Sequence, residues 1–403
     1  MITDEIKVID VDTHVTEPYD LFTSRVSTKK WGDKVPHVRT IPWDTARHWD
    51  PSADPDMPRD IWILNGQPSS PIGITTMAGW REWPPAHPST IEDFDPGAYD
   101  AEQRLERMDE YGMYAHVIYP NVAGFGNQNF LKLEDPELML ACVQAYNDFL
   151  HEWCGLDPKR LLPIMSVPFW DVDETVREIE RCAKLGHKGV LFPQQPHLFG
   201  DAPMLADPHW NPVWHTAEDL GLSINFHIGS GNPVNVHGGY EGNGQQANYA
   251  AGTVRFFMDN MNGIMEILIS GICHRHPKLN FVSVESGIGW VPYVLEAVDW
   301  QWLNAGGRNE HPEMDLLPSE YFKRQVYACF WFEREVALHT IEMLPDNILY
   351  ETDFPHPTSM SPGPASIADK PKDFIERNLS SLPRETLQKI LHDNAARVYN
   401  LDY

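Results

Sequence analysis

Four short segments of the chain each end an apolar run with a side chain that can bind a metal ion. The segments end at His14, His227, Glu285 and Asp353, and Asp12 lies two residues before His14. Because side chains two apart on a strand point to the same side, Asp12 and His14 can reach one ion. Carboxylates and imidazoles that converge in this way hold a divalent cation and activate a water molecule bound to it. The pattern therefore predicts a metal-dependent enzyme.

Glu285 directly follows the apolar run Phe281–Val284 and is the most informative of these residues. A buried carboxylate without a partner costs several kcal/mol or is forced to bind a proton. A metal ion would supply that partner. The alternative is a structural salt bridge to His14, His227 or an arginine.

Eight apolar runs of strand length alternate with amphipathic segments of helix length, a pattern typical of parallel βα units. The runs are Ile6–Asp12, Ala115–Pro120, Leu161–Pro168, Lys188–Phe192, Leu222–His227, Asn280–Glu285, Gln325–Phe330 and Asn347–Asp353. The sequence predicts an α/β fold, a (β/α)₈ TIM barrel that forms a single domain over residues 1–403. In such a barrel chemistry takes place where strands end in loops, which is where the candidate residues lie.

A long segment, residues 31–95, interrupts this alternation after the first strand. It is rich in proline and tryptophan and has no sustained period. A loop of this length is either functional or disordered, and its aromatic content argues against disorder. We expect an ordered insertion that covers the barrel mouth or, alternatively, forms an interface.

Three further residues are candidates for contact with a substrate. His237 lies in a loop rich in glycine and asparagine after the fifth barrel strand, and Trp290 follows Glu285 closely. His356, three residues after Asp353, could orient a substrate or Asp353 itself.

The formal net charge of −27 argues against binding to nucleic acid or to an acidic membrane surface. The five cysteines show no CxxC spacing, which makes a disulfide framework or a thiolate zinc site improbable. The chain has no apolar run long enough to span a bilayer and begins without the features of a signal peptide. We expect a cytoplasmic protein that acts on a small molecule and forms a homodimer or a higher homo-oligomer.

As an ordered set, several short segments resemble the amidohydrolase superfamily. The similar branch is amidohydrolase-2, which includes aminocarboxymuconate-semialdehyde decarboxylase and γ-resorcylate decarboxylase. The matching segments are Val11-Asp12-Thr13-His14 with Glu17-Pro18, Arg104–Gly112 before Val117-Ile118-Tyr119-Pro120, His187-Lys188-Gly189-Val190, Phe226-His227, Arg275-His276-Pro277-Lys278-Leu279, Asp353-Phe354-Pro355-His356 and Asp393-Asn394-Ala395-Ala396-Arg397.

The resemblance implies a metal held by Asp12, His14, His227 and Asp353, with Asp353 also acting as acid and base. Many relatives place a histidine on the sixth strand, where this chain has Glu285. Glu285 would then bind a second metal or serve as the base. We expect one or two divalent ions. Zn²⁺ or Fe²⁺ is the first choice, and Mn²⁺ also fits mixed histidine and carboxylate ligation.

The glutamate at the sixth strand favours hydrolysis over decarboxylation. We expect a metal-dependent hydrolase that uses metal-activated water to cleave an ester, amide, lactone or thioester, including an acyl-CoA. The alternative is a metal-dependent nonoxidative decarboxylase of an aromatic or dienoic carboxylic acid. A third possibility, a metal-stabilised binding protein without catalysis, fits poorly with a carboxylate such as Asp353 beside an open coordination position.

Overall fold

The structure is a computed structural model that describes residues 1–42, 59–231 and 239–402. The predicted role of His237 falls in the segment 232–238, outside the described residues.

Within the described part of the chain, eight strands form a parallel sheet in which each strand pairs with the next one along the chain. Their bounds are β1 Ile9–His14, β5 Ala115–Tyr119, β6 Leu161–Met165, β7 Gly189–Leu191, β8 Ser223–His227, β9 Phe281–Val284, β10 Val326–Phe330 and β11 Ile348–Tyr350, and strands β2 to β4 form a separate sheet in the insertion. The sheet closes on itself because Asp353 N donates to Asp12 O at 2.9 Å and His14 N donates to Phe354 O at 2.7 Å. The predicted TIM barrel is confirmed, and each predicted apolar run overlaps one of these strands.

Helices surround the barrel and connect its strands. The α-helices are Ile2–Glu5, Thr28–Trp31, Ala101–Tyr111, Pro136–Cys154, Val172–Leu185, Asn211–Asp219, Gln245–Ile269, Ile272–Arg275, Val291–Asn304, Gly307–Glu310, Pro318–Gln325, Glu335–Met343, Pro371–Leu379, Arg384–Gln388 and Asn394–Val398. Asp100, Asp135 and Asp171 each accept backbone hydrogen bonds at the first turn of a helix, which satisfies donors that the helix leaves unpaired. Every described helix is too short or too polar to span a lipid bilayer.

The last residues of the chain cover the amino-terminal end of the barrel. Asn394 Nδ2 donates to Pro345 O at 2.8 Å and to Ile348 O at 2.9 Å, which ties helix Asn394–Val398 to the start of β11. Tyr399 is buried among the apolar residues of the barrel interior. This segment therefore seals the end of the barrel that lies opposite the strand-end loops.

The described part of the segment 31–95 contains a small antiparallel sheet of β2 His37–Ile41, β3 Arg59–Leu64 and β4 Gln67–Pro71. Further along, Met77 N and Ala78 N donate to Pro355 O at 2.8 and 3.0 Å, so this segment lies against the loop after β11. Because residues 43–58 fall outside the description, the role of the whole insertion stays a prediction.

Candidate metal centre

The predicted ligands converge at the carboxyl ends of the barrel strands. His14 Nε2 and His227 Nε2 lie 3.0 Å apart, and Asp12 Oδ1 lies 3.4 Å from each of them. The side chains of all three residues are completely buried. Glu285 Oε2 lies 3.5 Å from His227 Nε2, and Asp353 Oδ1 lies 3.7 Å from His14 Nε2. Five side chains from four strand ends thus surround one small volume.

The second nitrogen of each imidazole explains why the two Nε2 atoms face each other. His14 Nδ1 lies 3.0 Å from Pro120 O, and His227 Nδ1 lies 2.9 Å from Ile228 O. A carbonyl only accepts, so each Nδ1 carries the proton and each Nε2 of a neutral ring presents a lone pair. Two lone pairs 3.0 Å apart repel each other, whereas both can bind a cation placed between them. His14 and His227 would therefore hold a divalent ion through their Nε2 atoms.

The carboxylates supply a second test of whether an ion fits. Among the described residues, both oxygens of Asp12 and Oδ2 of Asp353 are buried without a hydrogen-bond partner. Buried polar atoms are almost always hydrogen-bonded, and an unpaired buried carboxylate is strongly unfavourable. A divalent cation satisfies these atoms as well as the facing imidazoles, so the donor set is that of a divalent-metal site.

The backbone turns sharply at the residues that supply these side chains. The pairing of β1 with β5 shifts register between Asp10 and Thr13, next to Asp12. Glu285 and Asp353 adopt φ values of 56° and 60°, a left-handed conformation that is uncommon for residues other than glycine. Such positions cost on the order of 1 to 3 kcal/mol and cluster at functional sites. The chain therefore accepts strain where β9 and β11 deliver carboxylates to the centre.

Without a bound ion, burial and repulsion between neighbouring carboxylates make the charged forms of Glu285 and Asp353 unfavourable. Burial raises the pKa of Asp353 and of Glu285 well above the ordinary values, and neighbouring carboxylates add to the effect. Burial also opposes ionisation of Asp12, but the charge of His227 keeps its pKa below the ordinary value. Burial lowers the pKa of His14 well below that of a free histidine. Burial lowers the pKa of His227, but Asp12 raises it above the ordinary value. Without a cation, the centre thus combines a neutral His14 and the opposite charges of Asp12 and His227 with carboxyl groups of Glu285 and Asp353 that readily bind a proton.

His356 stacks on His14 with ring centroids 3.7 Å apart and lies beside Asp353. Its Nδ1 is 2.9 Å from Asp353 Oδ1, and its Nε2 is 2.7 Å from Asn121 Oδ1. The Asn121 amide is oriented because its Nδ2 donates to Val15 O at 2.9 Å, so His356 Nε2 donates to Asn121 Oδ1. Burial and the nearby His227 lower the pKa of His356 to about 3. His356 is therefore neutral and presents a lone pair to Asp353.

Sequence reasoning missed Asn121 as part of this arrangement. The available signal was its position in the sequence, since Asn121 lies two residues after the end of β5 and so at the same end of the barrel as the ligands. Its backbone N–H also donates to Glu17 Oε1 at 2.7 Å. Glu17 belongs to a segment quoted for the family resemblance, and it fixes the loop that carries Asn121.

A cavity of about 750 Å³ lies beside the centre and reaches His356. Its walls include Trp80 and Trp83 from the insertion and Tyr249 from helix Gln245–Ile269. Burial raises the pKa of Tyr249, and the charges of Glu285 and Asp353 raise it further, which places this phenol near the carboxylates. Of the predicted substrate contacts, His356 lines this cavity.

Trp290 is not among the described residues that line the cavity. Its Nε1 donates to Ser286 O at 3.1 Å, and its ring is half-buried against the hydrophobic core. The close spacing of Trp290 to Glu285 in the sequence suggested a place in the pocket. The turn after Glu285 directs the chain into helix Val291–Asn304 instead.

Comparison with known proteins places these features in context. The amidohydrolase family model matches residues 9–401. Gamma-resorcylate decarboxylase of Rhizobium sp. strain MTP-10005 is 25% identical over 345 residues, which cover 79% of this chain and 96% of that protein.

Two solved structures share the fold over most of their length. An amidohydrolase of Mycobacterium avium subsp. paratuberculosis has a TM-score of 0.72 and 22% identity, covering 98% of this chain and 99% of that one. A 5-carboxyvanillate decarboxylase of Novosphingobium aromaticivorans has a TM-score of 0.64 and 16% identity, covering 98% and 96% of the two chains. The latter was solved with manganese and 4-hydroxy-3-methoxy-5-nitrobenzoic acid.

The expectation of a hydrolase, including a thioesterase, is wrong, because the curated relatives that match most of the chain are decarboxylases. The expectation rested on Glu285, which was taken to replace a histidine typical of decarboxylases. In the structure Glu285 belongs to the group of donors around His227, since its Oε2 lies 3.5 Å from that imidazole. A carboxylate that holds an ion serves decarboxylation as well as hydrolysis, so its presence cannot distinguish the two reactions.

Proposed function

Because the chain belongs to the amidohydrolase family, we propose that it is a metal-dependent decarboxylase that releases CO₂ from a hydroxylated aromatic acid without an oxidant. The observation that carries the proposal is the fully buried Asp353, whose carboxyl group lies between a set of metal-binding side chains and His356. Gamma-resorcylate decarboxylase of Rhizobium and 5-carboxyvanillate decarboxylase of Novosphingobium aromaticivorans are named for acids of this class.

In this proposal Asp12, His14, His227, Glu285 and Asp353 hold one divalent ion. Their facing donor atoms support a single centre, because Asp12, His14, His227 and Glu285 each place an atom within 4.8 Å of the others, as do His14, Glu285, Asp353 and His356. The bound ion supplies a positive charge that orients the carboxylate and a neighbouring hydroxyl oxygen of the substrate. The centre is buried, so water is largely excluded and charge interactions inside it are strong.

The residue that we assign to proton transfer is Asp353. Loss of CO₂ breaks the bond between the ring and the carboxylate carbon, and the electron pair of that bond stays on the ring carbon. A proton must then reach that carbon. Asp353 can bind the ion through one carboxylate oxygen and carry the proton on the other; burial and the charge of Asp12 raise its pKa, which favours the protonated form that can donate. The resulting carboxylate recovers a proton from solvent before the next turnover.

His356 and Asn121 act as positioning residues in this scheme. Asn121 fixes the ring of His356 through the 2.7 Å contact to Nε2, and the opposite nitrogen then faces Asp353 Oδ1 at 2.9 Å. Because the ring presents a lone pair there, it favours the protonated form of Asp353 and restrains its rotation. Proton transfer requires such alignment with the acceptor carbon.

We propose Mn²⁺ as the functional ion. Three carboxylates and two imidazoles suit manganese, iron and zinc, and manganese prefers sets rich in carboxylate. The manganese bound to the Novosphingobium aromaticivorans enzyme supports this choice. Reconstitution of chelator-treated protein with each ion in turn should restore the highest kcat with Mn²⁺.

The direct test is release of CO₂ from a panel of free acids. Purified protein loaded with Mn²⁺ would be mixed with 2,6-dihydroxybenzoate, 5-carboxyvanillate and a dienoic acid, and CO₂ would be measured together with the remaining acid. We expect equal amounts of CO₂ and decarboxylated product from a hydroxylated aromatic acid, and none after chelation. Release of CO₂ only from the dienoic acid would show that the substrate is a dienoic acid and not a hydroxylated aromatic acid. No release from any acid would refute the proposal.

A further inference from the structure

The cavity beside the metal centre has an inner and an outer wall. We call it the tail cavity, and its inner wall contains Trp80, Tyr249 and Met360, which are 9%, 9% and 5% exposed. Its outer wall contains Trp83, Phe332 and Ile367, which are 49%, 47% and 91% exposed. Large apolar side chains grouped around one concave surface mark a place that a ligand or partner covers.

The volume of the tail cavity is far larger than a single aromatic ring requires. A protein cavity of about 150 Å³ holds one benzene molecule, whereas the tail cavity measures about 750 Å³. Ligand sites usually bury about 70 to 90% of the ligand and are filled by it. A one-ring acid held at the metal centre would leave the outer wall in contact with water.

The charges on the lining restrict what can fill this space. Among the described lining residues, the charged side chains are Glu82, Arg334 and Asp369, besides the neutral His356. One arginine against two carboxylates does not favour a group with several phosphates. The remaining walls are mostly aromatic or aliphatic, so the group that fits is apolar and uncharged.

The position of the tail cavity connects it to the reacting end of the substrate. His356 lines the cavity and also lies 2.9 Å from Asp353 Oδ1, so this one side chain borders both the tail cavity and the metal centre. Trp80 and Trp83, from the segment inserted after the first barrel strand, form part of the cavity wall.

Resting on the decarboxylase function proposed above, we propose that the substrate is an aromatic acid with an extended uncharged apolar group, an alkyl chain or second ring, that fills the tail cavity. The carboxyl end lies at the metal centre and the apolar group contacts Trp80, Trp83 and Phe332. This assigns the inserted segment a role in substrate selection.

The test is a homologous series of 4-alkyl-2,6-dihydroxybenzoates from methyl to octyl. Each buried methylene should raise kcat/KM by roughly three- to fourfold until the cavity is full. The corresponding 5-alkylresorcinols, which have no carboxyl group to lose, would be titrated by tryptophan fluorescence, and their affinity should rise over the same lengths. Equal kcat/KM and equal affinity along the series would overturn the inference.

The two measurements separate failure of this inference from failure of the proposed reaction. If none of the acids loses CO₂ but the resorcinols bind more tightly with length, the reaction is wrong and the apolar site stands. If all acids lose CO₂ at rates that do not depend on length, the reaction stands and the apolar site is wrong.

Two variants locate the effect in the tail cavity. Ala250→Phe places a ring on a lining residue and should reduce kcat/KM for the octyl acid at least tenfold more than for the methyl acid. Trp300→Ala is the matched control, since Trp300 is 66% exposed and is not among the described lining residues. The control should retain the full dependence on chain length. Loss of that dependence in Trp300→Ala, or its persistence in Ala250→Phe, would contradict the assignment.

Discussion

The two ends of the barrel treat buried polar side chains in opposite ways, and β8 shows both. His227 and Asn225 lie two residues apart on this strand, and both are fully buried. His227 Nε2 faces His14 Nε2 at 3.0 Å across the candidate metal centre. Asn225 Oδ1 instead accepts hydrogen bonds from Tyr119 at 3.1 Å and Tyr399 at 3.0 Å, on the side that the end of the chain covers.

The difference teaches how to distinguish a polar group that stabilises the fold from one that awaits a ligand. Asn225 is satisfied by the protein itself, as is Asn347, whose Nδ2 donates to Val326 O at 2.8 Å. Both carboxylate oxygens of Asp12 and Oδ2 of Asp353 have no such partner among the described residues. Unsatisfied atoms at the carboxyl end are therefore the ones that an ion and a substrate complete.

The largest effect should come from Asp353→Asn. The amide keeps the shape of the side chain but cannot supply a carboxylic proton, so kcat should fall by about 10²- to 10⁴-fold. Decarboxylation kinetics, with circular dichroism and metal content as controls, would measure this. Retention of wild-type kcat with the ion still bound would exclude Asp353 as the proton donor.

The next effect compares the two residues of β8 directly. His227→Ala should weaken Mn²⁺ binding by more than about 100-fold, since loss of an outer partner alone costs about 10- to 100-fold. Asn225→Leu should keep the ion but lower the free energy of unfolding by about 1 to 3 kcal/mol, because two tyrosine hydroxyls lose their acceptor. Metal content and denaturant unfolding would be measured for both. If Asn225→Leu lost the ion while the fold stayed intact, the contrast between a metal-binding His227 and a structural Asn225 would be wrong.

A smaller effect is a pH dependence of the ion-free protein. Burial raises the pKa of Asp10 to about 8, while an unfolded aspartate titrates near about 3.9. The folded state therefore keeps a proton that the unfolded chain has lost, and the free energy of unfolding falls as the pH rises toward the folded pKa. The slope is at most about 1.4 kcal/mol per pH unit for each such group.

Between about pH 7 and 8 the carboxyl groups act together with His227, whose pKa Asp12 raises against the effect of burial, and both kinds of group lower the free energy of unfolding as the pH rises. His14 and His356 have lowered pKa values and act in the opposite direction, but only below about pH 6.5, since above it they are neutral in both states. Denaturant unfolding without metal at several pH values would measure the fall, and Asp10→Asn should flatten it. An ion-free protein whose stability rises with pH in this window would contradict the electrostatic account of the carboxyl end.

The smallest effect should be that of Trp290→Phe. The substitution removes one hydrogen bond to Ser286 O outside the tail cavity, so stability should fall by only about 0.5 to 1.5 kcal/mol. The kcat/KM for any accepted acid should stay within about twofold. A larger loss of kcat/KM would return Trp290 to the substrate pocket.

Much of this architecture follows from sequence because parallel strands leave a strong apolar pattern. The barrel and the convergence of His14, His227, Glu285 and Asp353 depend on where apolar runs end, which is a local property. The hydrogen bond of Asn121 to His356 joins residues 235 positions apart, so no local pattern reveals it. The prediction of hydrolysis was wrong, because a glutamate such as Glu285 at the metal centre is compatible with both hydrolysis and decarboxylation. The predictions of a homo-oligomer and a cytoplasmic location stay predictions.

The most direct test measures the release of the carboxyl carbon and the transfer of a proton to the ring in one experiment. Mn²⁺-loaded protein in D₂O would receive 2,6-dihydroxybenzoate labelled with ¹³C at the carboxyl carbon. The account predicts ¹³CO₂ and resorcinol in equal amounts, with one deuterium on the ring carbon that carried the carboxylate, and neither product with Asp353→Asn. If the labelled acid and its alkyl derivatives all persist unchanged beside a fully occupied metal centre, the account is contradicted.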